Sequence, residues 1–272
     1  MKKIVITGGE GFLGKYVTGL LGKKTGVTLS RFERGKHSFD DLPSMKNLLQ
    51  DSSAVVHMAG LNRANDHEIL RVNTLGTHGL LKAIALYSPG IRFVFASSTQ
   101  AYDANSIYGL SKLFAEKLIE SYAKKNLLEG VALRFSNLYG PGARPFYNSV
   151  IATFASQIRT GKPITIHGNG RTMRDFLYVT DAADIIQKSL SLPLKNRFLK
   201  IDVCSGRTET VRKVVSLMQQ HVSRKIKVNY SPEESDNIGY SRNLKKNTAK
   251  EIFGWVPRVS FEEGITRMMD SI

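Results

Sequence analysis

A chain of 272 residues, 42% hydrophobic and 23% charged, has the size and composition of one large globular domain, or of one domain carrying a small lobe. Such a chain buries enough core to need no structural metal, and its single cysteine, Cys204, excludes an internal disulfide and a cysteine metal cluster and fits a reducing compartment. The net charge of +16 raises polyanion binding, but the excess is spread over both halves with no basic tail; it reads as a solvated basic surface suited to a small anionic ligand rather than to nucleic acid.

The chain opens on two lysines and only three apolar residues before Thr7, too few for a signal peptide, so this segment reads as a first strand. No apolar run approaches the ~20 residues of a membrane span, and the cytoplasm is the expected location. Strands are expected at residues 3–7, 27–30, 51–57, 91–96 and 130–134, and helices at 11–21, 70–87 and 108–125. Strands alternating with helices predict βαβ units and a parallel sheet covered on both faces, with ligands at the strand C-terminal ends. Residues 137–145 read as a loop. Beyond it come a helix at 147–160, strands at 164–167 and 175–179, a helix at 181–192, a strand at 198–203, and helices at 211–222 and 261–269. The expected organisation is an α/β, Rossmann-type doubly wound core over residues 1–140. Residues 141–272 would form mainly a small substrate-binding lobe, with 181–203 returning to the core sheet.

Thr7-Gly8-Gly9-Glu10-Gly11-Phe12-Leu13-Gly14 stands between the first strand and the first helix. Glycines three apart allow a positive φ, a close backbone approach to a pyrophosphate, and tight helix–strand packing at a helix N-terminus that favours anions. The second strand ends in Arg31, with no acid at the position that would take a ribose 2′-hydroxyl. An arginine there suits a 2′-phosphate, so NADP(H) is favoured and NAD(H), with Arg31 stacked on adenine, is the alternative. Tyr108 and Lys112 sit at i and i+4 on one helical face, where the ammonium favours the phenolate and so equips the tyrosine to move a proton. Just upstream, the strand at 91–96 runs into Ser97-Ser98-Thr99, hydroxyls able to bond a substrate carbonyl.

Taken together these segments resemble the extended short-chain dehydrogenase/reductase family, Rossmann-fold enzymes that act on nucleotide sugars. The resemblance extends from the Gly-rich turn to Trp255-Val-Pro-Arg-Val-Ser-Phe. It includes Val55-Val-His-Met-Ala-Gly-Leu61, Val72-Asn73 with Gly76-Thr77, Leu133-Arg-Phe-Ser-Asn137 and Arg174-Asp-Phe-Leu-Tyr-Val-Thr-Asp181. It implies that Gly8, Gly11, Phe12 and Leu13 hold the pyrophosphate, that Ala59 and Gly60 flank the cofactor, and that Asn73 lies close behind. Ser98 would be the catalytic hydroxyl on the substrate, with Thr99 as the fallback. Tyr108 would be the acid/base, Lys112 would hold the nicotinamide ribose, and Phe135 would lie near the nicotinamide. Asn137 and Arg174 would contact the substrate's diphosphate, with Arg144 and Arg242 assisting. No metal is implied.

Two departures stand out. Only nine residues separate Ser98 from Tyr108, a stretch usually much longer in the family, which implies a more open site or one closed by a neighbouring subunit. The segment at residues 38–42 is compressed where adenine is usually held, with Asp40 or Asp41 left for that role. Thr99-Gln100 replaces the Asp-Glu pair of the family's dehydratases, which excludes that reaction. Cys204 and His57 read as structural, which leaves no further acid/base pair for the family's epimerisations beside a ketone. Two readings remain, an NADPH-dependent reductase of a nucleotide-linked 4-keto sugar and a 4-epimerase with retained NAD. A catalytically silent NADP(H)-binding or polyanion-binding protein is the non-enzymatic alternative. The resemblance also implies a homodimer through a four-helix bundle, with Leu110, Phe114, Leu118 and Tyr122 at helical spacing, and a place in the biosynthesis of surface polysaccharide or of sugar-modified metabolites.

Overall fold

The computed structural model describes residues 1–147, 149–232 and 248–272. They divide into two compact units, Met1–Phe135 with Ala182–Asp202, and Ser136–Asp181 with Val203–Ile272. The first unit alternates β1 (Lys2–Thr7), α1 (Phe12–Gly22), β2 (Val27–Arg31), α2 (Leu42–Leu49) and β3 (Ser52–His57). It continues through α3 (Asp66–Leu70), a π-helical turn at Arg71–Leu75, α4 (Gly76–Tyr87), β4 (Ile91–Ser98), α5 (Ile107–Lys124) and β5 (Leu128–Phe135). The chain then runs through β6 (Asn137–Tyr139), α6 (Val150–Arg159), β7 (Ile164–His167) and β8 (Met173–Tyr178). It returns by α7 (Val179–Ser189) and β9 (Phe198–Val203), and ends with β10 (Thr208–Thr210), α8 (Val211–Gln219), β11 (Val228–Ser231), α9 (Thr248–Phe253) and α10 (Phe261–Met269).

The sheet of the first unit has the order β2-β1-β3-β4-β5-β9, and β1 through β5 pair in parallel. Its strands carry β-branched and aromatic runs (IVIT, AVVH, IRFVF) because helices cover both faces, so successive residues are buried whichever way they point. Val5, Val55, Phe93, Phe95, Leu80, Ile84 and Ile119 form its core. The strand order reverses at β1, with β2 on one side and β3 on the other. That reversal opens a crevice at the C-terminal ends, beside Thr7, Arg31 and His57.

Helix starts follow local chemistry. Ser106, Ser149, Thr210 and Ser260 each cap a helix by accepting an amide hydrogen through their hydroxyl. The expected single helix at 70–87 begins four residues earlier, capped by Asn65, and contains the π turn. There the hydroxyls of Thr74 and Thr77 donate to the carbonyls of Leu70 and Asn73, so side chains share the backbone bonding where the turn widens. The compressed segment at 38–42 is a tight turn. Phe39 stacks on Phe32 with ring centroids 4.3 Å apart and lies against the glycines of α4.

The second unit holds a three-stranded sheet, β10-β8-β6, and a parallel pair, β11-β7. The residues expected to form a loop from Asn137 thus begin with a short strand. Buried Tyr139 packs edge-on against Phe176, Tyr178 and Phe261. Among the described residues, no helix is long and apolar enough to cross a membrane.

Candidate active site

The Gly-rich turn leaves β1 at Thr7. Gly8 adopts φ +71°, and a Cβ on it would stand 2.6 Å from the Ala59 nitrogen. Any side chain there would be strained by that backbone and would collide with the loop after β3. Gly11 caps α1 without a side-chain bond, and no acid occupies the first turn, which Phe12 and Leu13 begin. The first amides of α1 therefore face outward as donors for an anion. These features fit a dinucleotide pyrophosphate. Arg31 ends β2, and its guanidinium lies 3.3 Å from the Glu10 carboxylate of the turn. Asp40 is exposed in the turn before α2, its amide donating to the Ser38 hydroxyl.

Beneath the turn runs a buried chain of hydrogen bonds that sequence reasoning did not reveal. The Ala59 amide donates to Thr7 Oγ1 at 3.3 Å, and Thr7 Oγ1 lies 2.6 Å from His57 Nδ1. His57 Nε2 lies 2.9 Å from Thr77 Oγ1, which gives its own hydrogen to the Asn73 carbonyl at 2.6 Å. Thr77 has one hydrogen to give, so His57 must donate through Nε2 and accept from Thr7 through Nδ1. Burial first, and the Lys112 charge second, push the imidazole pKa down to about 3 and keep it neutral. Asn73 sits in the π turn. Its carboxamide accepts from the Leu61 amide at 2.8 Å and donates to the Leu61 carbonyl at 2.7 Å and to Ser111 Oγ at 2.9 Å. Ser111 in turn donates to the Tyr108 carbonyl at 2.7 Å. The Gly-rich turn, the loop after β3 and the start of α5 are thus tied together.

The β4 end separates the two serines. Ser97 Oγ donates to the buried Glu116 carboxylate at 2.6 Å, whereas Ser98, on the opposite face of the strand, accepts from the Gln100 amide at 3.2 Å. Thr99 is buried. The short connection to Tyr108 is a closed turn. Gly109, in the first turn of α5, approaches so near that a Cβ on it would lie 2.6 Å from the Gln100 carbonyl oxygen. Lys112 Nζ donates to the Ala96 carbonyl at 2.8 Å and lies 5.7 Å from the Tyr108 ring centroid and 4.7 Å from that of Phe95. A Cβ on Gly60 would lie 3.4 Å from the same nitrogen and 3.2 Å from Asn73 Oδ1. Burial lowers the Lys112 pKa from 10.5 to about 8, with the Glu116 charge pulling the other way. Phe135 ends β5 directly across from Ser98.

A second buried cluster braces this end of α5. Arg134 donates through Nε and Nη2 to the two oxygens of Glu116 at 2.8 and 2.5 Å, and its guanidinium lies 4.1 Å over the Tyr102 ring. Burial works against the Arg134 charge, and Glu116 more than offsets it, pushing that pKa up. Tyr102 Oη donates to Asp202; burial and this bond push the phenol up to about 12. Glu116 and Arg134 stand on different elements, 18 residues apart, and no local pattern announces the pair.

In the second unit Asn137 and Arg174 flank Asp175. The Asn137 carboxamide donates to the Asp175 carbonyl at 2.9 Å. The Asp175 carboxylate accepts from the Ser136 and Ser205 hydroxyls and from the Ser205 and Gly206 amides, while burial pushes its pKa up. Arg174 is half-buried, and burial lowers its pKa. Arg144 is exposed, its guanidinium 5.2 Å from the Tyr147 ring centroid. Arg242 lies outside the described residues.

A Gly-rich strand–turn–helix at a sheet crevice, with a Tyr-x-x-x-Lys helix beginning beside a serine-bearing strand end, defines a nucleotide-binding Rossmann protein. Residues 4–197 match the model of the NAD dependent epimerase/dehydratase family, and the chain belongs to that family. It is 29% identical over 195 residues to the UDP-2-acetamido-2,6-beta-L-arabino-hexul-4-ose reductase of Pseudomonas aeruginosa, covering 71% of this chain and 51% of the relative. The chain thus spans about half the length of that reductase. It is 28% identical to a putative UDP-glucose 4-epimerase of Methanocaldococcus jannaschii, over 98% of this chain and 97% of the relative. Its fold is that of the RMD protein of Pseudomonas aeruginosa, solved in complex with NADPH. The TM-score is 0.81 and the identity 22%, over 100% of this chain and 99% of that one.

Proposed function

We propose that the chain reduces a nucleotide-linked 4-keto sugar with NADPH. The observation that supports this reading is that Ser98 ends β4, that Lys112, one turn of α5 beyond Tyr108, donates to Ala96 of the same strand, and that the start of α5 is tied to the Gly-rich turn through Asn73 and His57. The bound dinucleotide would supply a hydride to the sugar carbon. Gly8, Gly11, Phe12 and Leu13 would hold its pyrophosphate, and Arg31 a 2′-phosphate; Asp40 would serve the adenosine. Ala59, Gly60, Asn73 and Phe135 would line the way to the reacting end.

The residues share the work as follows. Ser98, whose oxygen accepts from the Gln100 amide, keeps its hydroxyl hydrogen to donate to the keto oxygen. Tyr108 gives the proton that turns this oxygen into a hydroxyl as the carbon gains its hydride. The Lys112 ammonium stabilises the charge left on the phenolate and orients the ribose. Asn137 and Arg174, with Arg144 and Arg242, would hold the substrate's diphosphate, for which arginine is the suited partner. The reductase relative supports this reading. Similar identity to the putative UDP-glucose 4-epimerase over nearly the whole chain supports the second reading, a 4-epimerase that retains NAD.

We also infer a homodimer through α4 and α5. Leu75, in the π turn just before α4, and Leu110 and Phe114 on α5 are exposed, while Leu118 and Tyr122, expected on the same stripe, pack against the core of their own unit. The deciding experiment is the absorbance spectrum of the freshly purified protein followed by titration with each cofactor. Arrival without cofactor and tighter binding of NADPH support the reductase; tightly retained NAD⁺ overturns it in favour of the epimerase.

A further inference from the structure

Glu10 is a charged side chain between the glycines of the dinucleotide turn, where it packs against no core and caps no helix. Its Oε1 stands 3.3 Å from Nη1 of Arg31, the last residue of β2, which the β1–β2 register sets beside Ile6 at the foot of the turn. Both side chains reach solvent, with 80% and 50% of their surfaces exposed, so the pair adds little to the stability of the chain. Its position is what matters. The end of the second strand, beside the Gly-rich turn, is where a doubly wound sheet tells a ribose 2′-hydroxyl from a 2′-phosphate. In this chain no acid stands at that strand end, and the turn itself brings a carboxylate to the spot.

We propose that Glu10 is a specificity-determining residue of the dinucleotide site. This rests on the reading that the turn holds a nicotinamide dinucleotide. The Glu10 carboxylate occupies the guanidinium edge that a 2′-phosphate needs, and its charge repels the phosphate. A 2′-hydroxyl meets no such conflict, because it can donate to the carboxylate while Arg31 remains paired. Arg31 therefore pulls the site toward the phosphorylated dinucleotide and Glu10 holds that pull down. NADPH must displace the carboxylate to bind, and NADH need not.

The test is calorimetric titration of the full chain and of the Glu10→Gln and Arg31→Ala variants with NADPH and with NADH. Both substitutions are on the surface, so the variants should melt with the wild type. Glu10→Gln is expected to tighten NADPH by about tenfold, the size of one screened like-charge contact removed, with NADH changing by about twofold or less. Arg31→Ala is expected to weaken NADPH and spare NADH. A Glu10→Gln chain whose NADPH-to-NADH ratio equals the wild-type ratio overturns the role of Glu10 and leaves the dinucleotide site standing. A wild-type chain that binds neither cofactor overturns both.

Discussion

Replacing Lys112 with methionine separates the catalytic role proposed for this residue from what it does to stability. The ammonium is buried, and its one bond among those described, to the Ala96 carbonyl, does not restore the water it lost. Keeping a proton on a group whose pKa has fallen from 10.5 to about 8 costs the folded chain about 3 kcal/mol. Below pH 8 both the folded and the unfolded chain carry that proton, and the folded chain bears the whole penalty. Between pH 8 and 10.5 the folded chain sheds the proton while the unfolded chain still holds it, so the contribution of this group to stability rises with pH. Urea denaturation of wild type and Lys112→Met across pH 7 to 10 reads the difference, because the groups remote from Lys112 titrate alike in both. Methionine keeps the bulk and removes the charge. The variant is expected to be more stable at pH 7, by up to about 3 kcal/mol, with the gap closing toward pH 10. Its turnover is expected to fall by about a hundredfold or more, since the phenolate of Tyr108 loses its cation. Stability curves that run parallel for the two proteins would refute the buried-ammonium argument.

Glu116→Gln leaves the Arg134 guanidinium buried without its counter-charge and is expected to cost about 3–5 kcal/mol by urea denaturation, with Glu116→Gln/Arg134→Met costing less than the single change. Gly109→Ala forces a methyl against the Gln100 carbonyl and is expected to cost about 1–3 kcal/mol and to slow turnover by shifting Tyr108; unchanged melting would show that the turn yields. If the proposed dimer forms through α5, light scattering is expected to give a dimer for the wild type and a monomer for Phe114→Glu, on the exposed stripe of that helix.

Much of the first unit is legible in the chain itself. Runs such as KIVIT and IRFVF are too apolar for a half-exposed strand and too short for a helix, and the glycine spacing at 8, 11 and 14 sits between strand and helix. Ser98 could be preferred over its neighbours only by resemblance; strand alternation is what sends Ser97 to Glu116 instead. Short elements such as β10 and β11 carry three or four residues each, too few for a period to show. The π turn is not legible in the sequence because its apolar pattern continues that of α4; the hydroxyls of Thr74, within it, and Thr77, just after it, bond back to the backbone there. His57 read as structural, and its burial agrees, but its partners Thr7 and Thr77 are 50 and 20 residues away and meet it only once β1, β3 and α4 have packed. The Glu10–Arg31 pair is not legible in the sequence, because a turn residue and a strand end share no local pattern.

The reductase account is tested most directly by mixing the chain with NADPH and a panel of nucleotide-linked 4-keto sugars and following the reduced-nicotinamide absorbance. At least one sugar is expected to be consumed in step with NADPH. Tyr108→Phe should bind the cofactor as the wild type does yet turn over about a hundredfold or more slowly. Consumption that continues unchanged in Tyr108→Phe, or a wild-type chain that oxidises NADPH with none of these sugars, would contradict the account.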